Sequence, residues 1–188
     1  MIHAIHILLM QRSESNFPSE IITIDIDYKL SCMNLVALCN SCKKQNQWNK
    51  IRFFIAESLI CKNCGRRHYA PIPNNIIEII SKKIEKLLKR FGKICFWGIN
   101  PYFFNLARDL KISDTNNIYC VDTSKIRQGI RILDGRVQAS DIINDKKIKC
   151  IVVTVPQYYP SLKHTIKEEF HHLKKLLSIS DLLSNEDL

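Results

Sequence analysis

ICFWGINPYFFNLA, residues 94–107, decides the fold. Ile94–Trp97 is a short apolar run, Gly98 breaks it, and Tyr102–Leu110 follows with helical spacing. A buried strand, a glycine turn and a helix in that order open a strand–helix alternation. Downstream, Ile118–Val121 is a second apolar run ending at Asp122. Arg136–Gln138 is expected as a third strand after the Asp134–Gly135 turn, and Ser140–Asn144 as a short helix. Ile148–Val155 is nearly continuously apolar, as a strand buried on both faces must be, and Pro156 ends it. Leu162, Ile166, Phe170, Leu173 and Leu177 then mark one face of a final helix. Such alternation predicts an α/β fold with a parallel sheet covered on both sides.

In a sheet of this kind ligands bind beyond the carboxyl ends of the strands, where the strand order reverses. That edge would carry Gly98, Ile99 and Asn100 opposite Thr154, Pro156 and Gln157. A full dinucleotide fingerprint needs three glycines, for the turn, for pyrophosphate approach and for helix packing. Only Gly98 is present; Asn100 and Phe103 occupy the second and third positions, which disfavours ordinary NAD binding. A helix N-terminus can still receive one phosphate. Asp122 lies 24 residues after Gly98, where an acid can accept hydrogen bonds from ribose hydroxyls or, equally, close an Asp-Thr-Ser turn.

From Lys93 onward, four stretches carry a family resemblance: ICFWG, VDTSKIRQG (residues 121–129), GRVQASDII (residues 135–143) and IVVTVP (residues 151–156). This half of the chain resembles the Rossmann-like domain appended to sugar C-methyltransferases. It is also similar to the N-terminal nucleotide-sugar-binding domain of sialic-acid and bacillosamine acyltransferases. The run from Asp122 to Gly129, with Lys125 and Gln128, is the most specific piece. The resemblance implies a Rossmann-like domain that holds a nucleotide or nucleotide-sugar through Gly98, Ile99, Asn100, Asp122, Thr123, Lys125, Thr154 and Pro156. Those relatives carry more glycine after the first strand, and a separate catalytic domain that has no counterpart here.

Upstream, Pro71 and Pro73 stop regular structure, and Asn74 or Asn75 can cap a helix. Its apolar residues are Ile76, Ile77, Ile79, Ile80, Ile84, Leu87 and Leu88; Lys82, Lys83, Lys86, Lys89 and Arg90 form the opposite face. That basic face is either solvated surface or a grip for RNA or an acidic partner.

Further upstream stand Cys39-x2-Cys42 and, eighteen residues on, Cys61-x2-Cys64. Each pair lets a tight turn aim two thiolates at one ion, and two pairs complete a tetrahedral four-sulfur shell. Trp48–Ile55 looks like strand between them. The expectation is a zinc ribbon whose closed Zn2+ site stabilises the fold and does no chemistry. His68 is a substitute ligand at most; Arg66, Arg67 and Tyr69 beside it could touch nucleic acid or merely solubilise. Cys32 lies outside the pattern, and Cys95, Cys120 and Cys150 sit in apolar runs as inert thiols.

The expected organisation is therefore an N-terminal segment with one strand (1–31), a zinc ribbon (32–73), a connecting helix (74–91) and a Rossmann-like domain (92–188). In the first segment Ile22, Ile24, Ile26 and Tyr28 alternate with Thr23, Asp25, Asp27 and Lys29, so Asp25 and Asp27 share a strand face. Arg12–Glu20 reads as loop, and no internal repeat is visible.

Of 188 residues 46% are apolar, as in a globular protein, and the formal net charge is +10. The Ile2–Met10 run has His3 and His6, no basic leader and no cleavage site, so it is not read as a signal peptide. No run approaches the length of a membrane span. Eight cysteines without a secretory signal point to metal rather than disulfides, and to a reducing, cytoplasmic setting. No phosphate loop, nucleophile elbow or zinc-protease motif occurs, and His164, His171 and His172 fall on the predicted last helix. The leading expectation is an accessory protein without its own catalytic centre, working with a partner enzyme in glycan or natural-product biosynthesis. The alternatives are a nucleic-acid-binding zinc-ribbon protein and an NAD(P)-dependent or sugar-modifying enzyme.

Overall fold

The computed structural model describes Pro18 and residues 20–27, 32–52 and 58–183. The apolar run Ile2–Met10, not read as a signal peptide, and the expected loop over Arg12–Glu20 fall wholly or mostly outside these residues, as does Tyr28. The chain divides into two compact units, Met1–Ile72 and Pro73–Leu188.

In the first unit, β1 (Glu20–Asp27), β2 (Cys32–Leu38) and β3 (Gln45–Arg52) form an antiparallel sheet in that order. β2 alternates cleanly: Met33, Leu35 and Ala37 are buried while Asn34 is exposed. β1 departs from the period of two in its sequence. Its register slips at Ile22, which stands as an extra residue between the pairs Ile21–Ala37 and Thr23–Val36. Ile24 is therefore buried while Ile22 is 36% exposed. A bulge inserts one residue and moves what precedes it to the other face, which local periodicity cannot announce. A second slip lies in β3, where Lys50 has a positive φ of 54° and its N–H donates to the Asn34 side chain at 2.9 Å. A separate two-stranded hairpin joins β4 (Ser58–Ile60) to β5 (Arg67–Tyr69).

The second unit opens with α1 (Asn74–Phe91). Pro73, not either asparagine, holds its cap position, while the Asn75 Oδ1 accepts the first-turn Ile76 N–H at 3.0 Å. Proline tolerates that place because it has no N–H to satisfy and its φ suits a helix entry. One stripe of α1, including Ile76, Ile80, Ile84 and Leu87, is buried, and Gly92 ends the helix at φ 75°. There follow β6 (Ile94–Trp97), α2 (Pro101–Asp109), β7 (Ile118–Val121), β8 (Arg131–Ile132), β9 (Gly135–Gln138) and α3 (Ile142–Asp145). β10 (Cys150–Val153), α4 (Tyr159–Glu169) and β11 (Lys175–Ser178) complete the unit, with a 3-10 turn at Ile179–Leu183.

The sheet order is β11-β10-β6-β7-β9-β8. Every pairing is parallel except that of β8 with β9, which closes a short hairpin. The chain thus enters at the centre with β6, builds outward through β7 and β9, then returns to the other side of β6 with β10 and β11. β6 and β10 are buried throughout, as strands flanked on both sides and covered on both faces must be. Cys95, Trp97, Ile151 and Val153 pack with Ile143 of α3 and Ile166 and Phe170 at the end of α4. On the opposite face Phe96 meets Phe103 of α2 at 4.7 Å between ring centroids.

The expected final helix is corrected. α4 stops at Glu169, Phe170 leaves helical geometry, and Leu176 and Leu177 belong to a fifth parallel strand. The apolar spacing of Leu162, Ile166, Phe170, Leu173 and Leu177 imitates a helix stripe, but the open edge of β10 offers a full ladder of hydrogen bonds to the last of these. Tertiary pairing overrides the local preference of a Lys–Leu run.

Candidate metal centre and sheet edge

Each Cys-x2-Cys pair forms the turn of a hairpin, and the two turns have the same bonding. In the first, the Cys39 N–H donates to the Lys44 carbonyl and the Lys43 N–H to the Cys39 carbonyl. In the second, Cys61 pairs with Arg66 and Gly65 with Cys61 in the same way. Lys43 and Gly65 hold equivalent places, with φ of 57° and 72°. The chain therefore contains a short structural repeat, which its sequence conceals because only the cysteines coincide.

The four sulfurs lie within 4.8 Å of one another. Cys39 Sγ is 3.6 Å from Cys64 Sγ, and Cys42 Sγ is 3.7 Å from Cys61 Sγ. A disulfide would need about 2.05 Å. A tetrahedron of sulfurs with about 2.3 Å bonds to a central zinc has edges of about 3.8 Å, which the two distances approach. The four cysteines are close enough to hold a metal ion.

Two buried side chains brace this cluster. Asn46, on β3, donates from Nδ2 to Cys61 Sγ at 3.3 Å and to the Lys44 carbonyl at 3.0 Å, while its Oδ1 accepts the Lys62 N–H at 2.9 Å. His68, on β5, places Nε2 3.3 Å from Cys39 Sγ. His68 is thus a neighbour of a ligand, not a replacement for one. Trp48 adds an N–H to the Ile60 carbonyl at 3.1 Å and meets the His68 ring edge-on. Asn46 gave no signal in the sequence, because its partner lies on the other hairpin. Arg66, Arg67 and Tyr69 are exposed.

The thiols divide their protons unevenly. Burial pushes the Cys61 thiol up, but the N–H groups of Cys64 and Asn63 and the Asn46 amide outweigh it and bring it down to about 6. The Lys44 N–H draws Cys42 down as well, against burial. At Cys64 the Arg66 N–H pulls down, yet burial and the three crowding sulfurs win and push the thiol up to about 11. Four thiolates so close need a cation among them, and a coordinated metal deprotonates such thiols outright. By contrast, burial raises Cys120 and Cys150 to about 12 and pushes Cys95 well up, so these three are inert. Burial, with repulsion from Asp27, also raises Cys32.

In the second unit the structure joins several residues at the carboxyl edge of the sheet. The Ile99 N–H donates to Asp122 Oδ2 at 2.7 Å. The Thr154 N–H donates to the Trp97 carbonyl, and its hydroxyl to the Gly98 carbonyl. Gly98 has φ 88°, and a Cβ there would stand 3.0 Å from Val155 Cγ2, so both conformation and space call for glycine. Asn100 caps α2, its Oδ1 accepting the Phe103 N–H at 2.7 Å.

Asp122 is 4% exposed and well occupied. Besides Ile99 it accepts from the Ser124 N–H at 2.8 Å and from Arg127 at 3.0 Å. Gln128 donates to the Asp122 carbonyl. The carboxylate thus closes its own turn and clamps the glycine turn of the neighbouring strand. Thr123 and Lys125 are exposed on that turn, Thr154 is buried and Pro156 half-buried. Ile126 is 89% exposed and Tyr158 59%, giving this edge an apolar rim. Tyr159 turns inward, its hydroxyl on the Leu176 carbonyl.

The histidines do not share a helix face. His164 pairs with Glu168 on α4, whereas His171 and His172 lie past the helix end, His172 against Phe170.

No protein-family model matches the chain, and neither does any curated protein or solved structure. Among the described residues no helix is long and apolar enough to cross a membrane.

Proposed function

We propose that this chain is a zinc-stabilised accessory protein whose Rossmann-like domain binds a nucleotide or nucleotide-sugar for glycan or natural-product biosynthesis, with a partner enzyme supplying the reaction. The observation that carries the reading is the sheet order. Numbered along the chain, the parallel strands run 3-2-1-4-5 from β9 to β11, the order of doubly wound nucleotide-binding sheets. Strands one and four, β6 and β10, then flank the reversal point, and the turns after them carry Gly98–Asn100 and Thr154–Pro156.

The site's chemistry narrows the ligand. Asn100 occupies the place where a dinucleotide fingerprint needs glycine, and its side chain is committed to capping α2. Asp122 holds the Ile99 N–H. Both features work against a pyrophosphate seated on this turn. The exposed groups include Thr123, Lys125, Ile126, Gln157 and Tyr158: a hydroxyl, a cation, an aliphatic surface, an amide and an aromatic ring, beside Arg127, which pairs with Asp122. That set suits a nucleoside or sugar resting on the rim with one anionic group near Lys125. The family resemblance of residues 93–188 points the same way.

In the first unit we assign the ion as zinc and the hairpin pair as a zinc ribbon. Four cysteine sulfurs fill a tetrahedral shell and leave no open position, so the ion folds the unit and does no chemistry. Thermal melting with a panel of uridine, guanosine and cytidine nucleotide-sugars, alongside NAD, tests the ligand reading. A rise with at least one nucleotide-sugar, absent for NAD and diminished by Lys125→Ala, is the expected result. No rise with any of them at millimolar concentration would end it.

A further inference from the structure

The opposite edge of the same sheet carries a second, unassigned feature. Arg90, Phe91, Lys149, Lys174 and Lys175 line an open pocket of about 360 Å³ at the amino ends of β10 and β11. Strand register aligns its cations. Ile94, Cys150 and Lys175 pair across β6, β10 and β11, so Lys93, Lys149 and Lys174 stand one step before them on three adjacent strands. Adjacent strands lie about 4.8 Å apart, so these three residues form a regular row. The Lys149 carbonyl accepts the N–H groups of both Lys174 and Lys175, fixing that corner. Lys93 reaches over to the Lys146 carbonyl at 3.3 Å, which joins the row to Lys146 and Lys147.

A basic residue at a helix C-terminus complements the helix dipole, which accounts for Lys89 and Arg90. It does not account for Lys149, Lys174 and Lys175, which stand on or before strands. No acidic residue lines the pocket. Like charges gathered around one cavity repel one another unless an anion answers them. Arg90, Lys149, Lys174 and Lys175 line it, more cations than one phosphate would neutralise, and Lys82, Lys86 and Lys89 of α1 are exposed as well. Half-buried Phe91, with the Arg90 guanidinium 5.3 Å from its ring centre, adds an aromatic face. Cations in a row beside an aromatic ring suit a chain that repeats phosphate and base.

We propose that this edge binds the sugar-phosphate backbone of single-stranded nucleic acid, a site separate from the nucleotide edge at Gly98. The full chain is titrated into a fluorescein-labelled twenty-nucleotide oligo-dT, followed by anisotropy across a salt series. Lys149→Gln/Lys174→Gln is compared with a charge-matched control, Arg131→Gln/Lys167→Gln, both pairs exposed. The edge variant should bind at least tenfold more weakly at 100 mM salt, and the control within twofold of the parent. Two lost phosphate contacts should also flatten the slope of log K against log salt by about 1.4. Absence of binding by the parent at 100 mM salt, equal losses in both variants, or equal displacement by polyglutamate at matched charge would overturn the proposal.

Discussion

Asn46 and His68 each stand seven residues after the first cysteine of their own hairpin, and each touches the first cysteine of the other: Asn46 Nδ2 lies 3.3 Å from Cys61 Sγ, and His68 Nε2 3.3 Å from Cys39 Sγ. The two side chains are equivalent members of a crossed pair. Each ties the hairpin it grows from to the metal turn of its neighbour. Asn46 donates to its sulfur, and polar contacts of this kind orient sulfurs that hold a metal.

The crossed pair makes the first prediction. Loss of an outer hydrogen bond to a ligand typically costs ten- to a hundredfold in metal affinity. Asn46→Ala and His68→Ala should each weaken zinc by about that range, measured by competition with a chromophoric chelator. His68→Asn should recover more affinity than His68→Leu, because an amide at that place is what the other hairpin already uses. Equal losses for Asn and Leu would show that His68 acts only by filling space. The unaltered protein should carry one zinc per chain by elemental analysis, and chelation should melt the first unit.

The matched turns give the second. Lys43 and Gly65 occupy the same place in the two hairpins, both at positive φ. A left-handed conformation costs a non-glycine residue roughly 1–2 kcal/mol. Lys43→Gly should therefore stabilise the zinc-loaded protein, by about 1 kcal/mol after the added freedom of the unfolded glycine is subtracted. Gly65→Ala should destabilise it by a similar amount. Nothing lies within 4 Å of a Cβ built on Gly65, so its effect would report backbone strain alone. Denaturant midpoints at saturating zinc measure both.

How much of this was visible in the sequence depends on the reach of each interaction. Cys39, Cys42, Cys61 and Cys64 were legible because the geometry of a two-ligand turn is encoded within four residues. β6, β7 and β10 were legible because a strand flanked on both sides shows as a nearly unbroken apolar run, and β9 because the Asp134–Gly135 turn announces it. β11 was not, since its leucines continue a helical spacing and only the vacant side of β10 makes them a strand. Ile22 was misplaced because a bulge is a property of a pair of strands. Asp122 stood out as an acid at a strand end, but its bond to the Ile99 N–H, 23 positions back, has no local trace.

Gly98 carries the third prediction. An alanine there meets two costs: a φ of 88° and the Val155 side chain at 3.0 Å from its Cβ. The conformational part alone is roughly 1–2 kcal/mol. Val155→Ala in the same chain removes the clash and leaves the φ. In a double-mutant cycle the pair should therefore be less destabilised than the sum of the single changes, a coupling that distant sites do not show. Strict additivity would mean that Val155 moves aside without cost and that conformation alone requires glycine.

The buried thiols of the central sheet set a fourth prediction, on alkaline stability. Burial raises Cys120 and Cys150 to about 12, against an ordinary thiol near 9. The sign follows from which state ionises first. Below about pH 9 both the folded and the unfolded thiols are protonated, and stability is unaffected. Between about 9 and 12 only the unfolded chain releases these protons, so rising pH favours unfolding. Each such thiol contributes a slope of about 1.4 kcal/mol per pH unit in that window. Urea midpoints of the second unit should fall between pH 9 and 11, and Cys150→Ala should make that fall shallower while lowering stability at pH 7 through lost packing. A variant whose midpoint falls as steeply as the parent's would place the alkaline loss at groups other than Cys150.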